Sequence, residues 1–298
     1  MKKTQVQCYD CKSTDIKLFL SIDSKYSIYR CNNCFLNFTA PQPKASQVED
    51  INDNKYDSKE EQESRIANYK KEYARAKQHA DELKLFKESG RLVDVGCSYG
   101  IFVKAAQDEG FDASGIEPAK NAAAYAKQKF HVNVFQGTLD EAKVKENTYD
   151  IVTLYDVLEH IPNLKPFLKE IRRVLKPGGF LVVQSPNVES YAFQILKTNW
   201  NWLLVPNHLW HFSKKSLSNV LEENGFTIKK VITEDAVYDF ASNFKSTLHF
   251  PIISSGITFK ILRKIIYIFS YGFIFIGTRV WSKQAKGGIL RVYAQKTD

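Results

Sequence analysis

From Arg91 to the end of the chain, short apolar runs alternate with segments of helical periodicity, and this alternation constrains the fold more than any other feature. Strands that alternate with helices lie parallel in one sheet, because each return to the same edge needs a crossover about as long as a helix. Strands are expected at Arg91–Val95, Ala113–Glu117, Asn133–Gln136, Asp150–Tyr155, Phe180–Ser185, Thr227–Thr233 and Ile289–Gln295. Helices are expected at Phe102–Glu109, Ala119–Lys129, Leu164–Leu175 and Lys215–Asn224, with "LKPGGF" ending the fourth crossover in a Pro-Gly-Gly stop. Two stretches break the alternation, Pro186–Phe212 and Glu234–Gly288.

What precedes Arg91 has a different character. Residues 1–44 bear four cysteines and run into the Pro-punctuated "TAPQPKASQ". Residues 45–88 read as a linker and then a helix from about 58, with Ile66, Tyr69, Tyr73, Leu83 and Phe86 on or near one stripe. Residues 89–298 form the α/β domain, in which 234–288 is a helical insertion before the last strand. Cys8-x2-Cys11 and Cys31-x2-Cys34 are separated by 19 residues, and each CxxC turn can offer two thiolates to a tetrahedral zinc. A closed four-thiolate site has no open coordination position, so the expected zinc supports folding rather than catalysis. The start, "MKKTQVQCYDCKSTD", lacks an apolar h-region, and CxxC pairs outside the secretory route point to metal and a cytoplasmic protein. With 298 residues, 44% hydrophobic and 25% charged, the chain can bury a full core, which excludes wholesale disorder.

"RLVDVGCSYGIF" joins a strand, a Gly-rich turn and a helix start. Gly96 and Gly100 let the backbone approach a ligand, and the helix N-terminus offers unpaired N–H groups. About twenty residues on, "GIEP" puts Glu117 at a strand end, where a carboxylate can hold two ribose hydroxyls. With "YDVLEHIPN" and "LKPGGFLVVQSPN" following in order and spacing, residues 65–235 resemble a class I S-adenosylmethionine-dependent methyltransferase. The resemblance implies a Rossmann-like seven-stranded sheet with the cofactor lying across the strand ends. It implies that Asp94, Gly96, Cys97 and Gly100 surround the methionine part and Glu117 the ribose. Thr138 and Leu139 would lie near the adenine, and Tyr155 and Asp156 near the sulfonium. Cys97 stands where such enzymes often have a small residue, which implies packing rather than a nucleophile.

Asp156 to His160 follow the strand that borders the methyl group. On a helix, Asp156, Glu159 and His160 would share one face at i, i+3 and i+4. Three readings stay open. Glu159 and His160 shape the pocket wall; or His160 is a general base; or the three hold a divalent cation, a pattern resembling the metal-dependent O-methyltransferases of ubiquinone biosynthesis, which tend to have Glu where Asp156 stands. "NWNWLLVPNHLWHFSKKSL" brings Trp200, Trp202, Trp210, His208 and His211 toward the same strand ends. Their rings could sandwich a planar or sugar-like acceptor and exclude water, with His208 as a second acceptor-side polar group. The alternative is a cap anchored by ordinary aromatic burial.

The net charge is +9, and residues 191–298 carry 14 basic against 6 acidic residues. In "ITFKILRKIIYIFSYGFIFIGTRVW" a helix would align Lys260, Arg263, Lys264 and Tyr267 opposite an apolar side. That segment is too charged for a membrane span. Over 257–281 it suits peripheral contact with an anionic membrane face, or packing on its own sheet or a second copy. The expected function is methyl transfer from S-adenosylmethionine to a small-molecule or lipid-linked acceptor, at a hydroxyl of a sugar or glycolipid intermediate. One rival is a zinc-ribbon ribosomal RNA methyltransferase, but seven basic and three acidic residues in 1–44, less two charges for four thiolates on zinc, make a faint nucleic-acid footprint. The other is a non-catalytic binding protein of the same fold, against which Gly96, Gly100 and Glu117 stand.

Overall fold

The computed structural model describes residues 6–43, 58–234 and 286–297. The chain opens with β1 (Ile16–Ser21), β2 (Ser27–Cys31) and β3 (Asn37–Ala40), followed by the long helix α1 (Lys59–Leu83). There follow β4 (Arg91–Val95), α2 (Ile101–Asp108), β5 (Asp112–Glu117), α3 (Lys120–Phe130), β6 (Val134–Gln136) and β7 (Tyr149–Tyr155). A 3-10 turn at Leu158–His160 leads to α4 (Leu164–Val174), β8 (Leu175–Pro186), α5 (Tyr191–Leu196) and the two-residue β9 (Trp210–His211). Last come α6 (Lys214–Glu223), β10 (Phe226–Glu234) and β11 (Ile289–Lys296). The expected tail helix over 257–281 and most of the expected insertion 234–288 lie outside the described residues.

Seven strands form one sheet in the order β10-β11-β8-β7-β4-β5-β6, all parallel except β11, which runs antiparallel to both neighbours. The central strands are buried on both faces, which is why "LVDV", "IVTL" and "LVV" read as unbroken apolar runs. α4 covers one face because Leu164, Leu168, Ile171 and Val174 recur at helical spacing and all are buried. The Pro-Gly-Gly run does not stop short of the next strand as expected. β8 already starts at Leu175, opposite Tyr149, and the register shift before the Ile151–Phe180 pair absorbs the extra residues as a bulge.

α1 is fastened to the sheet by a buried arginine. Arg291, from β11, is 1% exposed and donates to Glu82 and His79 of α1, to Glu234 at the end of β10, and to Gln184 of β8. The second sheet has the order β1-β2-β3-β9, so the N-terminal module takes its fourth strand from a segment some 170 residues downstream. Asn37 pairs with His211 and Phe38 with Trp210. This fills the first irregular stretch: Pro186–Phe212 carries α5, two 3-10 turns and the strand that joins the N-terminal sheet.

Candidate active site and metal centre

The loop from β4 to α2 turns through Gly96 and Gly100, at φ of 76° and 74°. A Cβ at Gly96 would stand 2.5 Å from Val157 Cγ2, so only glycine lets the backbone floor lie this close to the next strand end. Gly100 has another duty. It starts α2 and packs against Ala126 of α3. Cys97 lies over Gly115, where any Cβ would come within 3.0 Å of its sulfur. Burial pushes its thiol well above the usual range, so Cys97 is a neutral packing group.

One cavity of about 830 Å³ opens at the C-terminal ends of β4, β5 and β7. Asp94, Gly96, Cys97, Glu117, Thr138, Leu139 and Tyr155 line it, as do Asp156, His160 and His208; among the expected site residues of the sheet, Gly100 alone does not. Glu117 accepts from the Ser98 amide (2.7 Å) and the Ala119 amide (2.8 Å), which fixes the acidic group against the Gly-rich turn. Asp94 accepts from Thr153 Oγ1 at 2.7 Å, and burial lifts its carboxyl to about 7. Thr138 is held by Glu141, its hydroxyl and amide both donating to Oε2.

The acidic-imidazole stretch is not a helix face. Asp156 takes φ 57°, leaving β7 sharply, and only Leu158–His160 turn as 3-10. Gln184 donates to Asp156 Oδ2 at 3.1 Å, while Oδ1 is buried with no hydrogen bond. Glu159 is fully buried, neither of its oxygens meets a well-formed hydrogen bond among the described residues although the Ser185 hydroxyl lies beside it, and burial next to Asp156 holds its carboxyl well above the usual carboxylate range. His160 Nδ1 is 3.1 Å from the Asn207 carbonyl, which can only accept, so Nδ1 carries the proton and Nε2 the lone pair. The potential ligand atoms of Glu159, His160 and His208 lie within 4.8 Å of one another, and Asp156 stands outside that group. The expected triad of Asp156, Glu159 and His160 therefore changes one member. The reason is the left-handed backbone at Asp156, which turns its side chain toward Gln184.

His208 reaches this point because its segment is sewn down on both sides. The Leu209 amide donates to the Glu159 carbonyl at 2.8 Å and Trp210 Nε1 to the Ile161 carbonyl at 2.7 Å. The rings of His160 and His208 meet edge to face at 4.7 Å. Trp202, Leu204 and Phe167 wall this end of the cavity. Trp200 and Trp210 are instead buried core, and His211 is a neutral structural ring whose burial lowers it to about 3.

Sequence reasoning missed the wall contributed by α1. Arg65, Asn68, Glu72, Arg75 and His79 all line the cavity. They recur every three or four residues, a polar stripe that was legible beside the apolar one. Arg75 makes no hydrogen bond or ion pair with another described residue and draws the Asp156 carboxyl toward its charged form. His79 stacks on Tyr155 at 5.4 Å and stays neutral, lowered by burial and by Arg291.

The four N-terminal cysteines converge as expected. Cys8 and Cys34 sulfurs are 3.6 Å apart and those of Cys11 and Cys31 are 3.5 Å apart. Four thiolates on one zinc at about 2.3 Å stand about 3.8 Å from each other, so the set fits a structural zinc.

The cofactor test is equally direct. A glycine floor that a Cβ would block, a fixed carboxylate at the end of β5, and an Arg75 and a buried Asp156 Oδ1 that have no hydrogen-bond partner among the described residues match a ligand carrying a ribose, a carboxylate and an ammonium group. A family model described as a methyltransferase domain matches residues 64–231. The chain belongs to the class I S-adenosylmethionine-dependent methyltransferases. This methyltransferase is 27% identical over 163 residues to the ubiquinone biosynthesis O-methyltransferase of Rickettsia canadensis, covering 51% of this chain and 68% of that one. It is 32% identical over 124 residues to the enzyme of the same name from Vibrio cholerae, covering 39% and 51%. The matched stretch thus spans about half to two thirds of these relatives' length. Among solved structures, a methyltransferase described as a possible histamine N-methyltransferase from Thermotoga maritima superposes with a TM-score of 0.55 at 19% identity, over 84% of this chain and 100% of that one. A methyltransferase of Listeria monocytogenes gives 0.50 at 16% identity, over 76% and 100%. At these identities the likeness establishes the fold.

Proposed function

We propose that this methyltransferase moves the methyl group of S-adenosylmethionine to a hydroxyl of a small-molecule or lipid-linked acceptor, on a sugar or glycolipid intermediate. The observation that carries the reading is the division of the cavity. One end holds the acidic and glycine groups of a cofactor cradle; the other is a part-open chamber walled by Trp202, Leu204 and Phe167, with two buried histidines at its base. Bound cofactor supplies an electrophilic methyl on a sulfonium. Glu117 would hold the ribose, Arg75 the methionine carboxylate, and Asp156 Oδ1 a donor at the methyl end. His160, with Nδ1–H committed to Asn207, presents Nε2 as the base that takes the acceptor's proton. Trp202, Leu204 and Phe167 would close over a bound acceptor, and fixing both reactants in line does much of the remaining work.

An RNA acceptor finds little support. The described part of the N-terminal module has Lys12, Lys17, Lys25 and Arg30 against Asp10, Asp15 and Asp23, a nearly balanced surface. No helix among the described residues is long and apolar enough to cross a membrane. The lipid-linked part of the reading rests on the basic pattern of 257–281, outside the described residues. The test is transfer of labelled methyl to lipid-linked sugars, free sugars and RNA in parallel. Label on a sugar hydroxyl, reduced at least about ten-fold in His160→Gln, is expected; label on RNA alone overturns the reading.

A further inference from the structure

The segment that carries His208 has little regular structure of its own. Between the 3-10 turn at Asn201–Leu203 and α6 it forms only the two-residue β9, too short to stand alone. β9 lies at the edge of the N-terminal sheet, with β3 as its neighbour. Yet His208 is buried and meets His160 edge to face, so contacts from elsewhere in the chain must fix it there.

Those contacts come from two sides. On one stands the turn after β7, whose carbonyls accept from the Leu209 amide and from Trp210 Nε1. On the other stands β3. Thr39, fully buried, donates its hydroxyl to the His208 carbonyl at 2.8 Å, and its amide donates to the Leu209 carbonyl at 2.9 Å. Having spent its one proton, Thr39 Oγ1 accepts from His211 Nε2 at 2.9 Å. Asn37, also buried, donates Nδ2 to the His211 carbonyl at 3.0 Å. One threonine hydroxyl thus serves two buried partners. Valine has the same shape and would serve neither, stranding a carbonyl and an imidazole N–H away from water. β3 starts shortly after Cys34, and Cys31, Cys34, Phe38, Leu209 and Trp210 share one core, so the four-cysteine site and the His208 segment are packed as a unit.

We propose that Thr39 is a positioning residue for the acceptor end of the cavity, and that the N-terminal four-cysteine module sets where His208 stands against His160. The cofactor cradle is built separately. Glu117 is held by the Ser98 and Ala119 amides, within the β4–β5 part of the large sheet. Loosening the module therefore disturbs one end of the cavity and spares the other. Naming the histidine end the acceptor end rests on the methyl-transfer reading; the placement of His208 by Thr39 does not. On that reading a displacement of about 1 Å in the groups that face the acceptor costs a large factor in rate, so an intact module is a condition for turnover and not for cofactor binding.

The experiment uses the full zinc-loaded chain with its histidine rings isotopically labelled, and S-adenosylmethionine as the probe of the other end. Thr39→Val should keep one zinc per chain and bind S-adenosylmethionine within about two-fold of wild type. In the same protein the ring signals of His160 and His208 should shift, and the Leu209 amide should exchange at least about ten-fold faster. The Ser98 and Ala119 amides should keep their wild-type rates. Thr39→Ser, which retains the hydroxyl, should restore both histidine signals. Stripping the zinc from the wild type with a chelator should move the same two signals while cofactor binding persists. With the sugar that the wild type methylates, Thr39→Val should lower kcat/KM about ten-fold and leave KM for S-adenosylmethionine unchanged. Unmoved His160 and His208 signals in Thr39→Val, no restoration in Thr39→Ser, or a matching loss of S-adenosylmethionine affinity overturns the proposal. Transfer to no sugar would overturn the methyl-transfer reading instead, and the histidine signals would still decide the role of Thr39.

Discussion

The contact between Cys97 and Gly115 offers a quantitative test of how the cofactor loop is built. Gly115 has ordinary backbone angles, so an alanine there meets a steric cost only. Its Cβ would come within 3.0 Å of Cys97 Sγ, 3.0 Å from Cys97 Cβ and 3.3 Å from Val103 Cγ2. Carbon and sulfur in contact normally stand about 3.5–4 Å apart, and the loop is buried on all sides, so Gly115→Ala should cost about 2–3 kcal/mol, the upper part of the overpacking range. In a domain of this size that is a fall of roughly 4–12 °C in the unfolding midpoint. Cys97→Ala alone should cost about 1 kcal/mol, the loss of a small buried group. The double variant should recover at least about 1 kcal/mol relative to the sum, because the sulfur that Gly115→Ala collides with is gone, although the Cβ and Val103 contacts remain. Urea unfolding of all four proteins measures the cycle. Strict additivity would refute the packing role assigned to Cys97. A Cys97→Ala protein that folds yet has lost cofactor binding would refute its reading as an inert wall.

Asp94 gives a pH prediction. Its folded carboxyl, at about 7, lies above its value of 3.8 in an unfolded chain, so the group favours the fold below about pH 4 and loses that advantage as pH rises through 7. At 1.36 kcal/mol per unit the apoprotein should lose on the order of 4 kcal/mol across that window, and Asp94→Asn should flatten the pH dependence of urea stability there. Arg291→Leu should destabilise by about 3–5 kcal/mol, since it strands Glu82 and Glu234, and hydrogen exchange should speed most in α1. Unchanged protection of α1 would show that the helix is held by its apolar contacts alone. Cys34→Ser should drop the zinc content from one per chain toward zero and lower the melting temperature, which metal analysis beside calorimetry would register.

The sheet was legible because both-face burial writes itself as apolar runs; β4 was bounded to the residue, and most other strands to within a residue or so at each end. β8 escaped at its start because a bulge carries Pro and Gly into a strand, which local chemistry cannot distinguish from a stop. The Gly-rich turn at the cavity floor was readable from Gly96 and Glu117, since a close backbone approach and a strand-end carboxylate leave few other residue choices. The acceptor end was readable only in part. His160 and His208 were visible as residue types, but their meeting depends on a two-residue strand at Trp210–His211 pairing with β3, a contact with no local signature. Arg75 and His79 were hidden for a different reason: a helix read for its apolar stripe also presents a polar one, and which polar face meets the cavity is settled by Arg291, over 200 residues away.

Calorimetric titration of the purified protein with S-adenosylmethionine, beside Glu117→Ala, tests the central claim most directly. The account predicts saturable one-to-one binding by the wild type and a loss of at least about ten-fold in the variant, the expected worth of a charge-assisted hydrogen bond pair to the ribose. No binding by the wild type, or equal binding by both, would contradict it.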